Sequence, residues 1–307
     1  MEEKLITVIL AVYNGEKFLR EQIESILNQT YKKIELLIFD DCSTDKSREI
    51  VKEYTKKYAF IKLHINSRRF GVVKNFENAL KQSNGRYIAL ADQDDIWHKD
   101  KLKILMQKML EAERVYKNTP ILVHSDLEMI DEHGNLLHNS YFKFKGYFLP
   151  DDKSVETIVS QNGVMGNTIL MNENLKKILF PFPEYLNVHD YWIALINELF
   201  GKRITVKMPL VKYRLHTKNC SNKIDLFKNK SKLFLFFIKL PYRGINREKV
   251  LRELLKRFEL SQEDKKVIKE FLIYLEFSST KLYIFYAILK YGFIKKVSRI
   301  LYKLTSD

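Results

Sequence analysis

The stretch LITVILAVYNGEKFLREQIESILNQTYKKIELLIFDD, residues 5–41, contains the pattern that decides the fold. Two short runs rich in β-branched and aliphatic residues stand near its ends, and each finishes in polar residues. Between them, the apolar positions with the spacing of an amphipathic helix are Phe18, Leu19, Ile23, Ile26 and Leu27. The stretch therefore predicts a strand, a helix and a second strand.

The same alternation continues along the chain. The sequence predicts helices over 43–58 and 71–83, and strands over 60–66 and 85–95. Strands that alternate with helices of this length form a parallel sheet with helices on both faces. Right-handed crossovers then place the carboxyl ends of the strands along one edge, where open sheets of this kind bind ligands. The polar residues expected at that edge are Tyr13, Asn14, Asp40, Asp41, Asn66 and Asp92 to Asp95.

Further along, the pattern becomes less regular. We expect a helix over 100–116, strands over 119–131 and 166–172, a helix over 189–200 and a strand over 203–216. From about residue 219 onward, the chain is expected to be helical and rich in Lys, Phe, Leu and Tyr.

Composition limits the class of protein. With 307 residues, 46% hydrophobic and 30% charged, the chain is long enough for one large domain with an appendage. Its two cysteines, Cys42 and Cys220, have no metal-binding spacing, which favours a reducing cytosol. The amino terminus places acidic residues before a short apolar run, so we expect a first strand there and not a signal peptide.

Positive charge is concentrated at the end of the chain. The net charge is +15, and residues 223–307 contribute 20 Lys and Arg against 9 Asp and Glu, a balance of +11. The first 222 residues carry the remaining +4. Basicity therefore belongs to the tail and not to the body of the chain.

The segment IALADQDDIW, Ile88 to Trp97, runs from apolar residues directly into three carboxylates. Alternate residues of a strand share a face, so Asp92 and Asp94 are expected to point the same way. Two carboxylates on one face suit a hard cation such as Mg²⁺ or Mn²⁺, which resolves their repulsion and prepares a site for a diphosphate. The alternative is an acidic loop in which Asp95 caps the next helix.

Four segments together resemble the inverting glycosyltransferases of family 2, which have the GT-A fold. These segments are VILAVYNGEKFLREQIESILNQTY (8–31), IELLIFDDCSTD (34–45), FGVVKNFENAL (70–80) and GRYIALADQDDIW (85–97). Further matches are GNTILMN (166–172), HDYWIALI (189–196) and YRLHTKN (213–219). The form DQDDIW resembles the branch that contains rhamnosyltransferases of bacterial cell-surface polysaccharide synthesis.

The resemblance covers roughly residues 4–220 and implies an α/β architecture. We expect a GT-A, Rossmann-like domain over 1–220, with a mostly parallel sheet flanked by helices. Residues 221–307 would form a helical appendage.

The resemblance also implies a set of donor-binding residues. Asp41 would accept a hydrogen bond from the N3–H of uracil or thymine, although a turn cap before the next helix also explains it. Lys74 would neutralise phosphate charge, or lie on a solvated helix face. The other residues assigned to the nucleotide sugar are Ala11, Val12, Tyr13, Gly71, Asn75, Asp92, Gln93, Asp94 and Arg214.

Metal binding and catalysis follow from the same resemblance. Asp94 would ligate Mn²⁺ or Mg²⁺, Asp92 would hold the ribose or a metal-bound water, and His216 would be a third metal ligand or a phosphate donor. Asp190 occupies the position of the catalytic base, with Glu184 as a fallback and helix capping as the structural alternative. His189 and residues 166–169 are expected on the acceptor side.

The implied reaction is metal-dependent, inverting transfer of a sugar from a UDP- or dTDP-sugar to a saccharide or polyprenyl-linked acceptor. A catalytically inactive nucleotide-sugar binder remains an alternative. A nucleic-acid-binding protein is the other, suggested by the isoelectric point of 9.4, but the predicted ligand edge is acidic and would repel phosphate. We therefore expect no nucleic-acid partner.

Two basic, aromatic runs, 226–244 and 281–304, distinguish the tail. Lys239, Lys281 and Lys290 interrupt them before the roughly 18–20 apolar residues of a membrane span are reached. Lysines beside Phe, Leu and Tyr suit an interfacial helix on an anionic bilayer. We expect a cytoplasmic protein at the inner face of the bacterial cytoplasmic membrane, while packing against a domain or partner subunit is the alternative.

Overall fold

The computed structural model describes residues 3–216 and 246–277, and the chain divides into two compact units, residues 1–245 and 246–307. The basic runs 226–244 and 281–304, on which the membrane prediction rests, lie outside the described residues. Each unit is taken by itself below.

The first part of unit 1 confirms the predicted alternation of strands and helices. Its elements are β1 (Ile6–Val12), α1 (Leu19–Leu27), β2 (Ile34–Asp40), α2 (Ser47–Lys57), β3 (Ile61–Ile65), α3 (Val72–Gln82) and β4 (Tyr87–Asp92). The second part contains β5 (Ile96–Trp97), α4 (Lys101–Val115), β6 (Ile121–Ile130), β7 (Leu136–His138), α5 (Tyr141–Lys145), α6 (Val155–Gln161), β8 (Leu170–Asn172), α7 (Glu173–Ile178), α8 (His189–Phe200) and β9 (Lys202–Arg214).

The strands of the described residues form one sheet in the order β3-β2-β1-β4-β8-β6-β9-β5, with β7 paired to β6. β3, β2, β1 and β4 are mutually parallel, and β6 is parallel to β9. β8 lies antiparallel between β4 and β6, and β5 is antiparallel to β9. The sheet is therefore mixed but mostly parallel, as expected.

The core explains why the early strands were readable from sequence. Alternate residues of β1 and β4 lie on opposite faces of the sheet, and both faces are buried under helices. The buried strands are accordingly almost continuous apolar runs. The register pairs Ala11 with Asp92 and Val12 with Asp40, so the polar ends of three strands lie side by side.

The predicted strand over 166–172 is too long. Gly166–Thr168 form a turn of 3₁₀-helix, and only Leu170–Asn172 join the sheet. The Thr168 hydroxyl and backbone N–H both bond to the Met165 carbonyl, which holds the turn closed. This turn lies against β4 and brings Gly166 and Asn167 to the carboxylate edge.

In unit 2 the described residues form two helices, α9 (Arg247–Arg257) and α10 (Gln262–Phe277). Their buried apolar side chains include Val250, Leu251, Leu254, Ile268 and Leu272. Across the parts of the chain that the structure describes, no helix is both long and apolar enough to cross a bilayer.

Candidate active site

The carboxylates of the DQDD segment meet two later parts of the chain at the carboxyl edge of the sheet. The Asp94 Oδ2 atom lies 2.7 Å from His216 Nε2, so the end of β9 closes onto the end of β4. Asp190, in the first turn of α8, lies close enough to Asp92 for its negative charge to raise the pKa of Asp92. The three residues expected to bind metal and the expected base therefore share one edge.

The prediction that Asp95 begins the next helix is wrong. Helix α4 starts at Lys101, because Ile96 and Trp97 first form the short strand β5 against β9. Asp95 is fully buried, and its carboxylate accepts hydrogen bonds from the Arg214 backbone N–H and the Asn167 side-chain amide. Asp95 thus ties β9 and the 3₁₀ turn to the end of β4.

Lys101 is a buried cation that sequence reasoning missed. Its Nζ atom donates to the Asn167 carbonyl at 2.6 Å and lies 3.2 Å from the centre of the Trp97 ring. Burial lowers the pKa of Lys101 well below its usual value, while the charges of Asp95 and Asp92 act in the opposite direction. Four carboxylates crowd this edge, and Lys101 interacts electrostatically with two of them, Asp92 and Asp95, from within the fold.

A signal for Lys101 did exist in the sequence. Lys101 precedes Leu105 by four residues and therefore lies on the apolar face of α4, which Leu102 and Met109 share. Lysine on an apolar helix face is rare without a buried partner.

Replacing Lys101 by methionine is expected to lower the free energy of unfolding by about 1–3 kcal/mol, because the buried Asn167 carbonyl would lose its donor. Urea denaturation measures the loss. The charge of Asp95 also acts on Lys101, so the double variant K101M/D95N should recover part of that stability. Equal stability of the single and double variants would contradict this charge interaction.

The candidate base has a distinctive environment. Asp190 is half-buried, and its two carboxylate oxygens accept hydrogen bonds at 3.3 Å from the Asn162 side-chain amide and the Gly166 backbone N–H. Burial raises the pKa of Asp190 to about 6, against the opposing effect of these donors. Burial, followed by the charges of Asp94 and Asp190, raises the pKa of Asp92 to about 7. A carboxylate with a pKa near neutrality is suited to general base catalysis.

The pH dependence of transfer follows from this pKa. Asp190 must be ionised to accept a proton, and a pKa raised to about 6 keeps it protonated in more acidic solution. We therefore expect kcat/KM to fall below about pH 6, by up to a factor of about ten per pH unit. Initial rates between about pH 4.5 and 8 test this, and a flat profile across that range would contradict it.

At the part of the edge where the nucleotide is expected, side chains form hydrogen bonds to backbone groups. Gln93 pairs with Tyr13 through both amide atoms, at 2.8 Å to its N–H and 3.0 Å to its carbonyl. Asp41 is buried and accepts from the Phe70 and Gly71 N–H groups at 2.8 and 2.7 Å. Gly71, with φ of 83°, starts α3 at this point. Base recognition by Asp41 stays a prediction, and the structure shows it holding the 70–71 turn.

Two other residues predicted to bind the nucleotide sugar form hydrogen bonds or ion pairs with side chains and backbone of this protein. Asn75 is buried between the Phe39 carbonyl and the Asn66 side chain, so it fixes α3 to the sheet. Lys74 is half-exposed and forms an ion pair with Glu77 at 2.6 Å. Phosphate binding by Lys74 remains a prediction that requires this pair to open.

Ala11 and Val12, also assigned to the nucleotide, lie at the end of β1, where the Val12 carbonyl accepts from the Asp41 N–H at 2.8 Å. The site assignment of both residues stays a prediction.

Arg214 points into the protein. Its guanidinium is almost completely buried, donates to the Asp94 carbonyl at 3.0 Å and to the Glu132 carbonyl at 3.3 Å, and forms an ion pair with Glu21. The aromatic ring of Phe18 covers it at 4.6 Å and also lies 5.1 Å from the His216 ring. The structure thus gives Arg214 a role in holding the DQDD turn, and its predicted phosphate contact stays untested.

Gly15 provides a test of the contact between Gln93 and Tyr13. A Cβ atom at position 15 would lie 2.5 Å from Gln93 Oε1 and would force this side chain out. Gly15→Ala should lower the free energy of unfolding by about 1–3 kcal/mol, the value of the two hydrogen bonds, and raise the donor KM.

A double-mutant cycle supplies the control. In a Gln93→Ala background, the same Gly15→Ala change should cost little, because the clashing side chain is gone. An equal cost in both backgrounds would show that Gln93 is not involved.

The residues at this edge fit a divalent cation whose coordination a diphosphate would complete. Within residues 3–216 and 246–277, no three His, Cys, Asp or Glu side chains are grouped closely enough to hold a metal by themselves. Asp94 and His216 are in contact, however, and Asp92 lies close enough to Asp94 and Asp190 for their charges to add to the effect of burial in raising its pKa. One or two carboxylates with substrate phosphate is a common way to bind Mg²⁺. Metal ligation by Asp92, Asp94 and His216 stays a prediction.

The fold and the sequence can now be compared with known proteins. Residues 7–164 match the family described as Glycosyl transferase family 2. This chain belongs to glycosyltransferase family 2. The resemblance inferred from the sequence motifs is therefore confirmed, as is the GT-A fold.

Relatives of this glycosyltransferase include an Escherichia coli enzyme, the UDP-Glc:alpha-D-GlcNAc-diphosphoundecaprenol beta-1,3-glucosyltransferase WfgD. The two are 30% identical over 249 residues, which is 80% of this chain and 91% of the relative. An uncharacterised glycosyltransferase of Methanocaldococcus jannaschii is 32% identical over 77% of this chain and 79% of its own.

Solved structures confirm the fold. S. aureus TarS 1-349 in complex with UDP-GlcNAc is similar with a TM-score of 0.60 at 17% identity, over 90% of this chain and 74% of TarS. The mannosyltransferase PcManGT from Pyrobaculum calidifontis, in complex with GDP-Man and Mn²⁺, gives a TM-score of 0.58 at 14% identity, over 96% of this chain and 79% of PcManGT.

Proposed function

We propose that this glycosyltransferase transfers a sugar, with inversion and with the help of Mn²⁺ or Mg²⁺, from a UDP- or dTDP-sugar to a saccharide or lipid-linked acceptor of bacterial surface polysaccharide synthesis. The observation that carries the proposal is the position of Asp190, which Gly166 and Asn162 hold near Asp92 at the carboxyl edge of the sheet. A base beside a cation site is what direct displacement at an anomeric carbon requires.

In this proposal, Asp94 and His216 hold the cation, with Asp92 beside them at the ribose or at a metal-bound water. The cation, when bound, stabilises the negative charge of the diphosphate leaving group as a Lewis acid. Arg214 donates to the Asp94 carbonyl and Lys101 donates to the Asn167 carbonyl, and these bonds keep the carboxylate turn and the 3₁₀ turn in place. The site residues thereby receive the donor in one fixed orientation.

Asp190 performs the proton transfer. Its carboxylate accepts the proton of the acceptor hydroxyl while the hydroxyl oxygen attacks the sugar carbon. The new glycosidic bond forms on the face opposite the departing nucleoside diphosphate, so the anomeric configuration inverts. The hydrogen bond from Gly166 in the 3₁₀ turn to Asp190 supports the assignment of residues 166–169 to the acceptor side of the base.

The name of the E. coli relative supports the proposed classes of donor and acceptor. It gives UDP-Glc as donor and an undecaprenol diphosphate-linked GlcNAc as acceptor. A lipid-linked acceptor resides in a membrane, which agrees with the basic, aromatic residues of 221–307. We therefore extend the proposal to a catalytic domain over 1–220 and a tail over 221–307 that contacts the inner face of the cytoplasmic membrane.

A thermal-shift screen tests the donor class. A panel of UDP-, dTDP- and GDP-sugars is added to the full chain with and without Mn²⁺. A ligand present at 100 times its Kd stabilises the folded state by about 2.7 kcal/mol, so the donor should stand out. Stabilisation that is confined to one UDP- or dTDP-sugar and requires the cation is expected. Stabilisation by GDP-sugars alone would contradict the assignment of Asp41 to a pyrimidine.

A further inference from the structure

The residue that bonds to the candidate base has an unusual backbone conformation. Asn162 follows α6 with φ of 62° and ψ of −88°, close to the strained γ-turn conformation at about +75° and −65°. Gly163 continues the turn with φ of 77°. Residues other than glycine seldom adopt positive φ, and such positions cluster at functional sites when the surrounding structure holds them.

The side chain of Asn162 is what holds this turn. Its Oδ1 atom accepts from the Val164 N–H at 3.4 Å, and its Nδ2 atom donates to the Val164 carbonyl at 3.1 Å. The same Nδ2 atom donates to Asp190 Oδ1 at 3.3 Å. Asn162 is 8% exposed, so these bonds are shielded from water.

The other oxygen of the base is held by the same segment. Gly166 donates its N–H to Asp190 Oδ2 at 3.3 Å, four residues after Asn162. Gly166 has little freedom to move, because a Cβ atom there would lie 2.6 Å from His189 Nε2. The segment from Asn162 to Gly166 therefore donates a hydrogen bond to each carboxylate oxygen of Asp190.

We propose that Asn162 is a positioning residue of the transfer reaction, whose side-chain amide fixes the orientation of the Asp190 carboxylate. The inference rests on the proposed function, because it requires Asp190 to be the base. Asparagine suits this place for two reasons: it tolerates positive φ better than most residues, and its amide supplies a donor that aspartate lacks.

Several groups face Asp190 and set its ionisation. From the end of β4 comes Asp92, whose carboxyl group lies within range of the charge of Asp190. From its own helix, the neighbouring residues are His189, whose pKa burial lowers to about 3 so that it stays neutral, and the Tyr191 N–H. From the turn after α6 come the amide donors of Asn162 and Gly166. Asn162 is thus one of the groups that counter burial.

Two substitutions separate positioning from folding. Asn162→Asp keeps the shape and the Oδ1 acceptor, but it places a carboxylate where Asp190 now receives a donor. Asn162→Gly keeps the positive φ without strain and removes only the side chain. Asn118 is the matched control, since it also has positive φ, 55°, and lies exposed on a turn. Asn118→Asp introduces the same charge change at that turn.

The experiment measures kcat/KM against pH for the full-length wild type, N162D, N162G and N118D, with melting temperature and donor KM recorded for each. The acid limb is the fall of kcat/KM toward low pH. In N162D this limb should move to higher pH by about one unit, because a lost donor and a like charge both favour protonated Asp190. In N162G, kcat should fall several-fold, with a smaller move of the limb. The donor KM should remain within about twofold in all variants, and N118D should match the wild type.

Three results would overturn the inference. One is an N162D enzyme whose acid limb coincides with that of the wild type. Another is N162G with wild-type kcat, which decides the question even if N162D fails to fold. The third is a loss of kcat/KM by the same factor at every pH together with a raised donor KM, which would indicate a general disturbance of the folded structure. If D190N itself retains turnover, the proposed function fails instead, and that outcome is separate from these three.

Discussion

Replacing Asp190 by asparagine is expected to lower kcat by about 10²–10⁴-fold while donor binding is retained. Asparagine keeps the shape of the side chain, so the contacts with Asn162 and Gly166 stay within reach, but it cannot accept the acceptor proton. Rates with a saturating nucleotide sugar measure the loss, and titration of the same donor with Mn²⁺ measures binding.

Glu184→Gln is the matched control for that change. Glu184 is the alternative base that the sequence suggested, and it lies exposed in the loop before α8. Its loss should leave kcat within about twofold, because substitution of an exposed surface carboxylate usually has little effect. The assignment of the base would be reversed if Glu184→Gln lost activity while Asp190→Asn kept it.

Replacing Asp94 by asparagine should lower kcat/KM by about 10²–10³-fold, the scale expected when the stabilisation of the leaving group by a cation is weakened by several kcal/mol. The change should also raise the Mn²⁺ concentration for half-maximal activity. The physical reason is that Asp94 is the carboxylate in direct contact with His216, at 2.7 Å. Initial rates across a Mn²⁺ series at fixed donor concentration measure both quantities.

Asp152→Asn provides the comparison for Asp94, because Asp152 is exposed and lies in the loop before α6. Its metal dependence should match that of the wild type. A wild-type Mn²⁺ response in Asp94→Asn, or full activity of the wild type after removal of divalent cations with EDTA, would contradict the metal assignment.

Much of the fold was predictable from sequence because its early strands are buried on both faces. A parallel strand covered by helices on each side is a continuous apolar run, and β1, β2 and β4 all have this form. The carboxyl edge was equally visible, since polar residues follow each run. The amphipathic helices α3 and α4 were predicted to within a residue or two, because their apolar positions repeat at helical spacing.

What sequence reasoning missed depends on contacts between distant segments. The strand expected over 166–172 is reduced to the three residues of β8, whose place depends on pairing with both β4 and β6. Lys101 is buried through its contact with the 3₁₀ turn at Asn167, which lies 66 residues further along the chain. The ion pair of Arg214 with Glu21 of α1 joins residues that are 193 positions apart, which no local pattern shows.

The role of Asn162 had a partial signal. The Asn-Gly dipeptide at 162–163 marks a turn with positive φ. The sequence could not show that this turn would lie against residue 190, because 28 residues separate the two. Turn chemistry is local and readable, but the target of a turn side chain is set by the tertiary fold.

The anomeric configuration of the product tests the central claim most directly. The full chain is incubated with Mn²⁺, the nucleotide sugar that stabilises it, and an undecaprenol diphosphate-linked saccharide acceptor, and the product is examined by proton NMR. The account predicts one new glycosidic bond whose configuration is opposite to that of the sugar in the donor, with no product from D190N. A product that retains the donor configuration would contradict single displacement with Asp190 as the base.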